Sequence, residues 1–208
     1  ELYNNASIFI IPMVNPDGTD LVSYWPNYPD PRYDQAAELN RTGLPLPLVW
    51  KANIRGVDLN LNYPALWELE KEQEIAEGVT GPAPRNFGGE APLSEPESAA
   101  MVQFTREHDF TLVIAYHTQG QVIYWQFADL APPESLEIAN EFSIITGYRV
   151  ETGPAEAAWA GYKDWFIQDF GRPGFTFECG LGRNPLPLSQ FPQIYDENEG
   201  AMLLAAVI

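Results

Sequence analysis

Two apolar segments in the second half of the chain each end in a residue suited to chemistry, and this feature constrains the fold most. Residues 110–117 read FTLVIAYH and residues 173–178 read PGFTFE, so His117 and Glu178 each end a predicted buried strand. A strand that reads FTF has no structural need of a glutamate at its end. Ligands of α/β proteins bind at the carboxyl ends of strands, where side chains from different strands face one crevice. The pattern therefore predicts that His117 and Glu178 face one crevice.

The rest of the chain alternates between segments of strand and helix character. Strands are predicted over residues 7–14, 110–117, 121–127, 148–151 and 173–178. Helices are predicted over residues 64–76, 94–107, 133–147, 159–170 and 191–207. This alternation is typical of an α/β protein. We expect a three-layer sandwich with a mixed β-sheet flanked by helices, in a single domain over residues 1–208.

Three local signals lie in the first half of the chain. Asn15-Pro16-Asp17-Gly18 is a strong turn signal after the apolar run SIFIIPMV at residues 7–14, which we expect to be a buried strand. Residues 19–49 are rich in Pro and Tyr without a period and predict a long ordered loop. Ser94 and Glu97 have the spacing of a capping box, with Ser94 at the N-cap of the helix.

The charge of the chain excludes several classes of partner. Its 208 residues carry 29 acidic and 11 basic side chains, a formal net charge of −18. Nucleic acids and anionic membranes are bound by clustered Lys and Arg, so neither is an expected partner. No apolar run reaches the roughly 18 residues of a membrane span. The single cysteine permits no disulfide within the chain and leaves the redox compartment open.

The residues alone leave three kinds of function open. An imidazole is a common zinc ligand, and a carboxylate beside it suits a general base in metal-assisted hydrolysis. A second class is a peptide- or glycan-binding module that keeps the crevice without a metal. A third is a cysteine hydrolase using Cys179 and His117. Cys179 directly follows Glu178 on a strand, so the two side chains point to opposite faces and the third class is disfavoured.

Several motifs in register resemble one known family. They are Asn15-Pro16-Asp17-Gly18, Gly56-Val57-Asp58-Leu59-Asn60, Ser94-Glu95-Pro96-Glu97, His117 and Phe177-Glu178. Their order and spacing resemble the zinc carboxypeptidase (carboxypeptidase A-like) family over essentially the whole chain. The segments Gly161-Tyr162-Lys163-Asp164-Trp165 and Gly182-Arg183-Asn184-Pro185-Leu186-Pro187 are similar to its bacterial γ-D-glutamyl-L-diamino acid endopeptidases, which cut peptidoglycan stem peptides. The resemblance implies a carboxypeptidase-like fold and a zinc metallopeptidase.

The resemblance also implies roles for individual residues. His117 matches the family's third zinc ligand, and Glu178 matches the carboxylate that deprotonates the zinc-bound water. Lys51 lies near the place of an arginine that polarises the scissile carbonyl. Asn60 matches the first residue of an Asn-Arg pair that holds the terminal carboxylate of the substrate. Leu61 stands in place of that arginine, which favours endopeptidase action over removal of C-terminal residues.

Further substrate contacts are implied with less direct matches. Arg55 and Arg183 are candidates to bind a D-glutamyl or diaminopimelyl carboxylate. The family's mobile tyrosine has no clear counterpart, because counting back from Asp164 reaches Glu156. Tyr162 is the candidate to replace it, with Trp159 as the alternative.

One family motif is missing from the printed sequence. The first two zinc ligands of the family come from a His-x-x-Glu segment before the Asn-Pro-Asp-Gly motif, and the residues before Asn15 contain no histidine. We expect the chain to be the C-terminal two-thirds of a catalytic domain, or else a degenerate relative. In the first case zinc binds in the complete enzyme and weakly or not at all in this chain, and an exposed sheet edge promotes dimerisation. The compartment, cytoplasmic or cell-wall associated, stays open.

Overall fold

The computed structural model describes residues 6–26, 31–153 and 159–208. They form two compact units. The sheet unit comprises the described parts of residues 1–11, 110–157 and 166–208, and the helical unit comprises the described parts of residues 12–109 and 158–165. The expectation of a single domain over residues 1–208 stays a prediction.

The sheet unit is built on four strands. They are β1 (Val113–His117), β2 (Val122–Tyr124), β3 (Arg149–Glu151) and β4 (Gly174–Glu178). Their order across the sheet is β1-β4-β2-β3, with β1 parallel to β4, β2 antiparallel to β4 and β2 parallel to β3. The predicted fold class, an α/β protein with a mixed sheet flanked by helices, is confirmed.

The core of the sheet unit follows from the alternation of side chains along β4. Phe175, Phe177 and Cys179 point to one face and are buried there. This face packs against helices α5 (Glu134–Thr146) and α7 (Phe191–Ala205), and Phe142 of α5 meets both phenylalanines edge-to-face with ring centroids 5.2 Å apart. Fully burying one such side chain contributes about 1.5–3 kcal/mol. The opposite face of β4 is therefore free to carry polar residues.

The helical unit contains α1 (Pro16–Ser23), α2 (Pro31–Glu38), α3 (Trp67–Ala76) and α4 (Pro96–Arg106), with helix α6 (Tyr162–Phe170) beginning in the same unit. Short 3₁₀ helices lie at Leu46–Leu48, at Leu59–Leu61 and, in the sheet unit, at Leu188–Gln190. Leu21, Tyr33, Leu46 and Trp50 form a small apolar cluster, which ties α1 and α2 to the segment that follows. No helix in the described ranges has the length and apolar character needed to cross a membrane.

The prediction of a long loop over residues 19–49 is wrong, because α1 and α2 both lie partly or wholly within it. Pro16 and Pro31 are the first residues of these helices. The backbone N–H at that position makes no hydrogen bond within the helix, so its absence in proline costs none. The Asn15 side chain accepts a hydrogen bond from the N–H of Gly18 at 3.0 Å and so caps α1. The expected turn at residues 15–18 is therefore a helix start.

Two other local predictions are also wrong. Residues 7–14 form no strand, and Ile10 is 69% exposed. An apolar run favours burial, but a strand also needs a neighbouring strand to pair with, and the composition of the run does not provide one. Ser94 does not cap α4: the helix begins at Pro96, its N-cap is Glu95, and the Ser94 hydroxyl instead donates to the Glu95 carboxylate at 2.9 Å. Pro96 takes the first helical position, which moves the cap one residue beyond Ser94.

Candidate active site

His117 and Glu178 are neighbours at the carboxyl ends of two parallel strands. They are register partners, the last residues of β1 and β4, and both are partly buried. Neighbouring strands lie about 4.8 Å apart, and register partners project to the same face of a sheet. That face is opposite to the one that carries Phe175 and Phe177 in the core. The predicted meeting of His117 and Glu178 at one edge of the sheet is present in the structure.

Backbone hydrogen bonds join the two loops that follow these strands. The N–H of Cys179 donates to the carbonyl of His117 at 2.8 Å, and the N–H of Gly120 donates to the carbonyl of Gly180 at 2.9 Å. Gly180 has a φ of +72°, and a Cβ there would lie 2.6 Å from the Leu186 side chain, so the turn requires glycine. These contacts fix the positions from which His117 and Glu178 project.

Arg183 lies on the second of these loops and is exposed. The next residue, Asn184, donates from its side chain to the carbonyl of Thr118 at 2.9 Å, which ties the loop after β4 to the loop after β1. Arg183 is thus carried beyond the end of β4, in the same unit as Glu178. Its predicted contact with a substrate carboxylate stays a prediction.

Cys179 lies in the core of the sheet unit, as its position directly after Glu178 predicts. It is 4% exposed and packs with Phe175 and Phe177. Burial raises the pKa of the thiol to about 11, so the reactive thiolate is scarce near neutral pH. These features argue against the cysteine-hydrolase interpretation.

Tyr124, at the end of β2, is a functional candidate that the sequence interpretation missed. It is the register partner of Thr176, two residues before Glu178, on the face that carries Glu178. Burial raises the pKa of the Tyr124 hydroxyl, and the carboxylates of Glu151 and Glu178 raise it further. The hydroxyl therefore lies in the field of both carboxylates. The signal was a tyrosine ending the run QVIY, but its nearness to Glu178 requires the antiparallel register of β2 and β4.

Lys51, in the helical unit, forms an ion pair with a buried carboxylate. Its Nζ lies 2.9 Å from Asp58 Oδ2, and the Asp58 side chain is 1% exposed. Burial alone would raise the pKa of Asp58, but the ammonium of Lys51 and the N–H groups of Asn60 and Asn86 outweigh burial and lower it. Lys51 therefore compensates a buried negative charge. The same ammonium group would have to polarise a substrate carbonyl while paired with Asp58.

Arg55 is held beside a second buried carboxylate. Its Nε lies 3.6 Å from Glu95 Oε2; the Arg55 side chain is 63% exposed, whereas that of Glu95 is 1% exposed. Asn53 donates to the same Glu95 oxygen at 2.7 Å, so the carboxylate also has a neutral partner. The outer part of the Arg55 guanidinium is left at the surface of the helical unit.

Asn60 and Tyr162 also belong to the helical unit. The backbone N–H of Asn60 donates to Asp58 Oδ1 at 3.3 Å, which holds Asn60 close to the Lys51–Asp58 pair. The Tyr162 hydroxyl is hydrogen-bonded to the Thr105 hydroxyl at 2.9 Å, and its ring packs edge-on against Tyr63. Burial raises the pKa of Tyr162, against the effect of the bond to Thr105. The backbone of Asn60 and the side chain of Tyr162 are thus held by local contacts within the helical unit.

Comparison with known proteins identifies the family. The family model described as zinc carboxypeptidase matches residues 1–201. The chain belongs to the zinc carboxypeptidase family. Over 204 residues it is 48% identical to γ-D-glutamyl-L-diamino acid endopeptidase 1 of Lysinibacillus sphaericus, a match that covers 97% of this chain and 49% of the relative.

Other relatives agree with this membership. An uncharacterised protein of Bacillus subtilis, YqgT, is 41% identical over 202 residues, covering 97% of this chain and 52% of its own length. The crystal structure of carboxypeptidase A from Helicoverpa armigera superposes with a TM-score of 0.60 at 18% identity, over 95% of this chain and 51% of that chain. The latter likeness shows the zinc carboxypeptidase fold. The chain spans about half the length of the curated relatives it matches.

The family's metal can be tested against the residues that the structure describes. A hydrolytic zinc site normally has three protein ligands and a water. In residues 6–26, 31–153 and 159–208, no group of three or more His, Cys, Asp or Glu side chains lies together so as to hold a metal ion. His117 with Glu178 supplies one imidazole and one carboxylate. The described residues of this zinc carboxypeptidase chain therefore do not fit a complete zinc site.

The predicted site residues fall into two groups in this zinc carboxypeptidase chain. His117, Glu178 and Arg183 belong to the sheet unit. Lys51, Arg55, Asn60 and Tyr162 belong to the helical unit. Within the sheet unit the structure brings His117 and Glu178 together, and within the helical unit it brings Lys51 and Asn60 to the same buried carboxylate.

Proposed function

We propose that this chain is part of a zinc peptidase that hydrolyses the bond between a γ-D-glutamyl residue and a diamino acid in peptidoglycan-type peptides. The observation that carries the proposal is the register pairing of His117 with Glu178 at the carboxyl ends of β1 and β4. Membership of the zinc carboxypeptidase family and 48% identity to a γ-D-glutamyl-L-diamino acid endopeptidase support the reaction and the substrate class. Removal of C-terminal residues from peptides is the less favoured form of the same chemistry, because Leu61 offers no charge to a terminal carboxylate.

Glu178 is the proposed general base. Its carboxylate takes a proton from the attacking water, and the same proton is then given to the nitrogen of the diamino acid as the peptide bond breaks. A partly buried carboxylate at the end of a strand suits this task, since the strand holds it still and one side of it stays accessible. His117 is the proposed metal ligand of this chain.

The remaining site residues are proposed to have the substrate roles that the family resemblance implies. Lys51 is the proposed electrophile for the scissile carbonyl, sharing its charge with Asp58. Asn60 and Tyr162 are proposed to bind the peptide. Arg55, 63% exposed, is proposed to meet a carboxylate of the substrate, as is Arg183 from the sheet unit. Bidentate guanidinium–carboxylate pairs suit this recognition.

Two further parts of the proposal concern the chain by itself. Zinc is proposed to bind weakly or not at all to these 208 residues, because His117 is one ligand where three are normal. Self-association through an edge of the sheet is also proposed; β1 and β3 are the edge strands of the described sheet. A stoichiometric, tightly bound zinc ion in metal analysis of the purified chain would overturn the first part, and a concentration-independent monomer mass would overturn the second.

The test is hydrolysis of a peptide that contains γ-D-glutamyl-meso-diaminopimelate, by the protein expressed from its complete reading frame with zinc supplied. We expect release of a new amino group at the diaminopimelate. Replacing Glu178 by Gln is expected to lower kcat by about 10²–10⁴-fold with KM little changed. Glu141→Gln is the matched control, because Glu141 is exposed on α5 in the same unit. Its kcat is expected to equal that of the unmodified protein.

Two outcomes would refute parts of this proposal, the first the role of Glu178 as general base and the second the enzymatic activity itself. Full activity in Glu178→Gln would show that another group moves the proton. Tight binding of the peptide without any cleavage by the unmodified protein would instead assign the chain to the non-catalytic, peptide-binding alternative.

A further inference from the structure

A row of side chains crosses one face of the sheet, from Glu178 on β4 to the edge strand β3. The register pairs Glu178 of β4 with Val122 of β2, and pairs Val122 with Arg149 of β3. The next row contains Thr176, Tyr124 and Glu151 in the same manner. All of these residues lie on the face opposite to the Phe175 and Phe177 core, because side chains alternate along each strand.

The far end of this face carries a pair of opposite charges. Arg149 Nη1 donates to Glu151 Oε1 at 2.8 Å, and the two side chains are 69% and 40% exposed. Since the residues are two apart on β3, they project to the same face. Both charges keep open sides that a ligand can approach. An exposed pair of this kind contributes little to stability, roughly 0–1 kcal/mol.

We infer that Arg149 and Glu151 bind the distal end of the diamino acid side chain. This subsite is separated from Glu178 by one residue, Val122, in the row across the sheet. This inference rests on the proposed function. The guanidinium of Arg149 complements a distal carboxylate, and the carboxylate of Glu151 complements a distal ammonium. A diaminopimelyl residue carries both groups on one carbon, and a lysyl residue carries the ammonium alone.

The spacing across the sheet suits such a ligand. Two strand spacings of about 4.8 Å separate the backbones at Glu178 and Arg149 by roughly 10 Å. The α-carbon and the distal carbon of diaminopimelate are four C–C bonds apart, about 5 Å when extended. The side chains of Arg149 and Glu151 cover the remaining distance.

The residues between the two ends suit the ligand's hydrocarbon. Val122, between Glu178 and Arg149 in the row, is apolar but only 3% exposed, so the surface open to methylene groups there is that of the partly exposed Tyr124. Tyr124 stands beside Val122 on the same face, and its hydroxyl lies in the field of both Glu151 and Glu178. A charged head at one end, an apolar middle and the reacting bond at the other end match the chemistry of a diamino acid.

The test compares three dipeptides that differ in the distal group. They are γ-D-glutamyl-meso-diaminopimelate, γ-D-glutamyl-L-lysine and γ-D-glutamyl-L-norleucine. Binding is measured by calorimetry in the Glu178→Gln protein, so that no ligand is consumed. Glu151→Gln is expected to weaken binding of the first two by roughly five- to tenfold and to leave norleucine unchanged. Arg149→Gln is expected to weaken binding of the diaminopimelyl ligand alone.

Controls and kinetics separate this inference from the proposed function. Glu141→Gln removes one negative charge from an exposed helix position in the same unit and is expected to change none of the three affinities. In the active protein the losses should appear in KM, with kcat little changed. Equal effects of Glu151→Gln on all three ligands, or no effect on any, would overturn the inference even if hydrolysis occurs. Charge-selective binding without hydrolysis would uphold the subsite and refute the peptidase.

Discussion

Glu70 of helix α3 is a buried carboxyl group, 6% exposed, that makes a measurable prediction about pH and stability. Burial raises its pKa from 4.5 to about 7. The N–H of Trp159, which donates to Glu70 at 3.3 Å, opposes this rise, and the negative charges of Glu74, Asp58 and Glu77 add to it.

One turn later on the same helix, Glu74 is 1% exposed and is differently supported. Lys71 Nζ lies 2.6 Å from Glu74 Oε2, and the N–H of Gly88 donates to its other oxygen at 2.6 Å. Glu74 thus has an ammonium and a backbone amide as partners. Glu70 instead has a neutral donor as its partner, the N–H of Trp159, so the two buried carboxyls of one helix differ in their partners.

The magnitude follows from the difference between the folded and unfolded pKa values. Because the folded state holds the Glu70 proton more tightly, its stabilising effect is complete below about pH 4.5 and is lost as the pH rises through about 7. Each pKa unit corresponds to about 1.4 kcal/mol, so roughly 3 kcal/mol of stability is lost across this window. Glu70→Gln keeps the shape and an acceptor for the Trp159 N–H but cannot ionise.

The assay is urea denaturation followed by tryptophan fluorescence at pH 5 and at pH 8. We expect Glu70→Gln to be close to the unmodified protein at pH 5 and to gain about 2–3 kcal/mol in free energy of unfolding relative to it between pH 5 and pH 8. Glu72→Gln, at an exposed position of the same helix, is the matched control and should behave like the unmodified protein at both values. If Glu70→Gln has the same pH dependence as the unmodified protein, burial of the Glu70 charge is not its cause.

Two further predictions concern the interiors of the units. Phe177→Ala should lower the free energy of unfolding by about 3–5 kcal/mol, because a fully buried ring is removed from between β4 and α5; a urea titration that shows less than about 1 kcal/mol would contradict the packing. Asp58 has a lowered pKa, so its contribution is present above the ordinary value of 3.8 and is lost as the pH falls below it. Asp58→Asn should therefore lower the free energy of unfolding at pH 7 and weaken its fall with acidification, measured between about pH 2 and 6. An unchanged fall in acid would show that the Lys51–Asp58 pair does not cause it.

The sequence was most informative where one local pattern decided the outcome. FTLVIAYH and PGFTFE predicted strands that end at His117 and Glu178, and the structure ends β1 and β4 at those residues. An apolar run bounded by turn residues needs little tertiary information to be recognised as a buried strand in an α/β protein. The family resemblance added the expected roles, which geometry alone does not assign.

The sequence-based predictions failed where one residue type is compatible with two local structures. Proline marks loops but also begins helices, and this ambiguity hid α1 and α2 and moved the cap of α4 to Glu95. The run at residues 7–14 has the composition of a buried strand, yet composition does not name the strand that pairs with it. Tyr124 was missed for a related reason: only the register between β2 and β4 brings it beside Glu178.

The strand order has a consequence for how the protein is made. Residues 118–121 join β1 to β2 directly, but β4 lies between these two strands in the sheet. During synthesis on the ribosome β1 and β2 emerge before β4, and this central partner follows only after α5, β3 and α6. Pairings between such distant segments form slowly, since the loop-closure entropy is lost before the contacts are gained. The His117–Glu178 pair is therefore absent from nascent chains that end before β4, and such chains can have no activity that requires it.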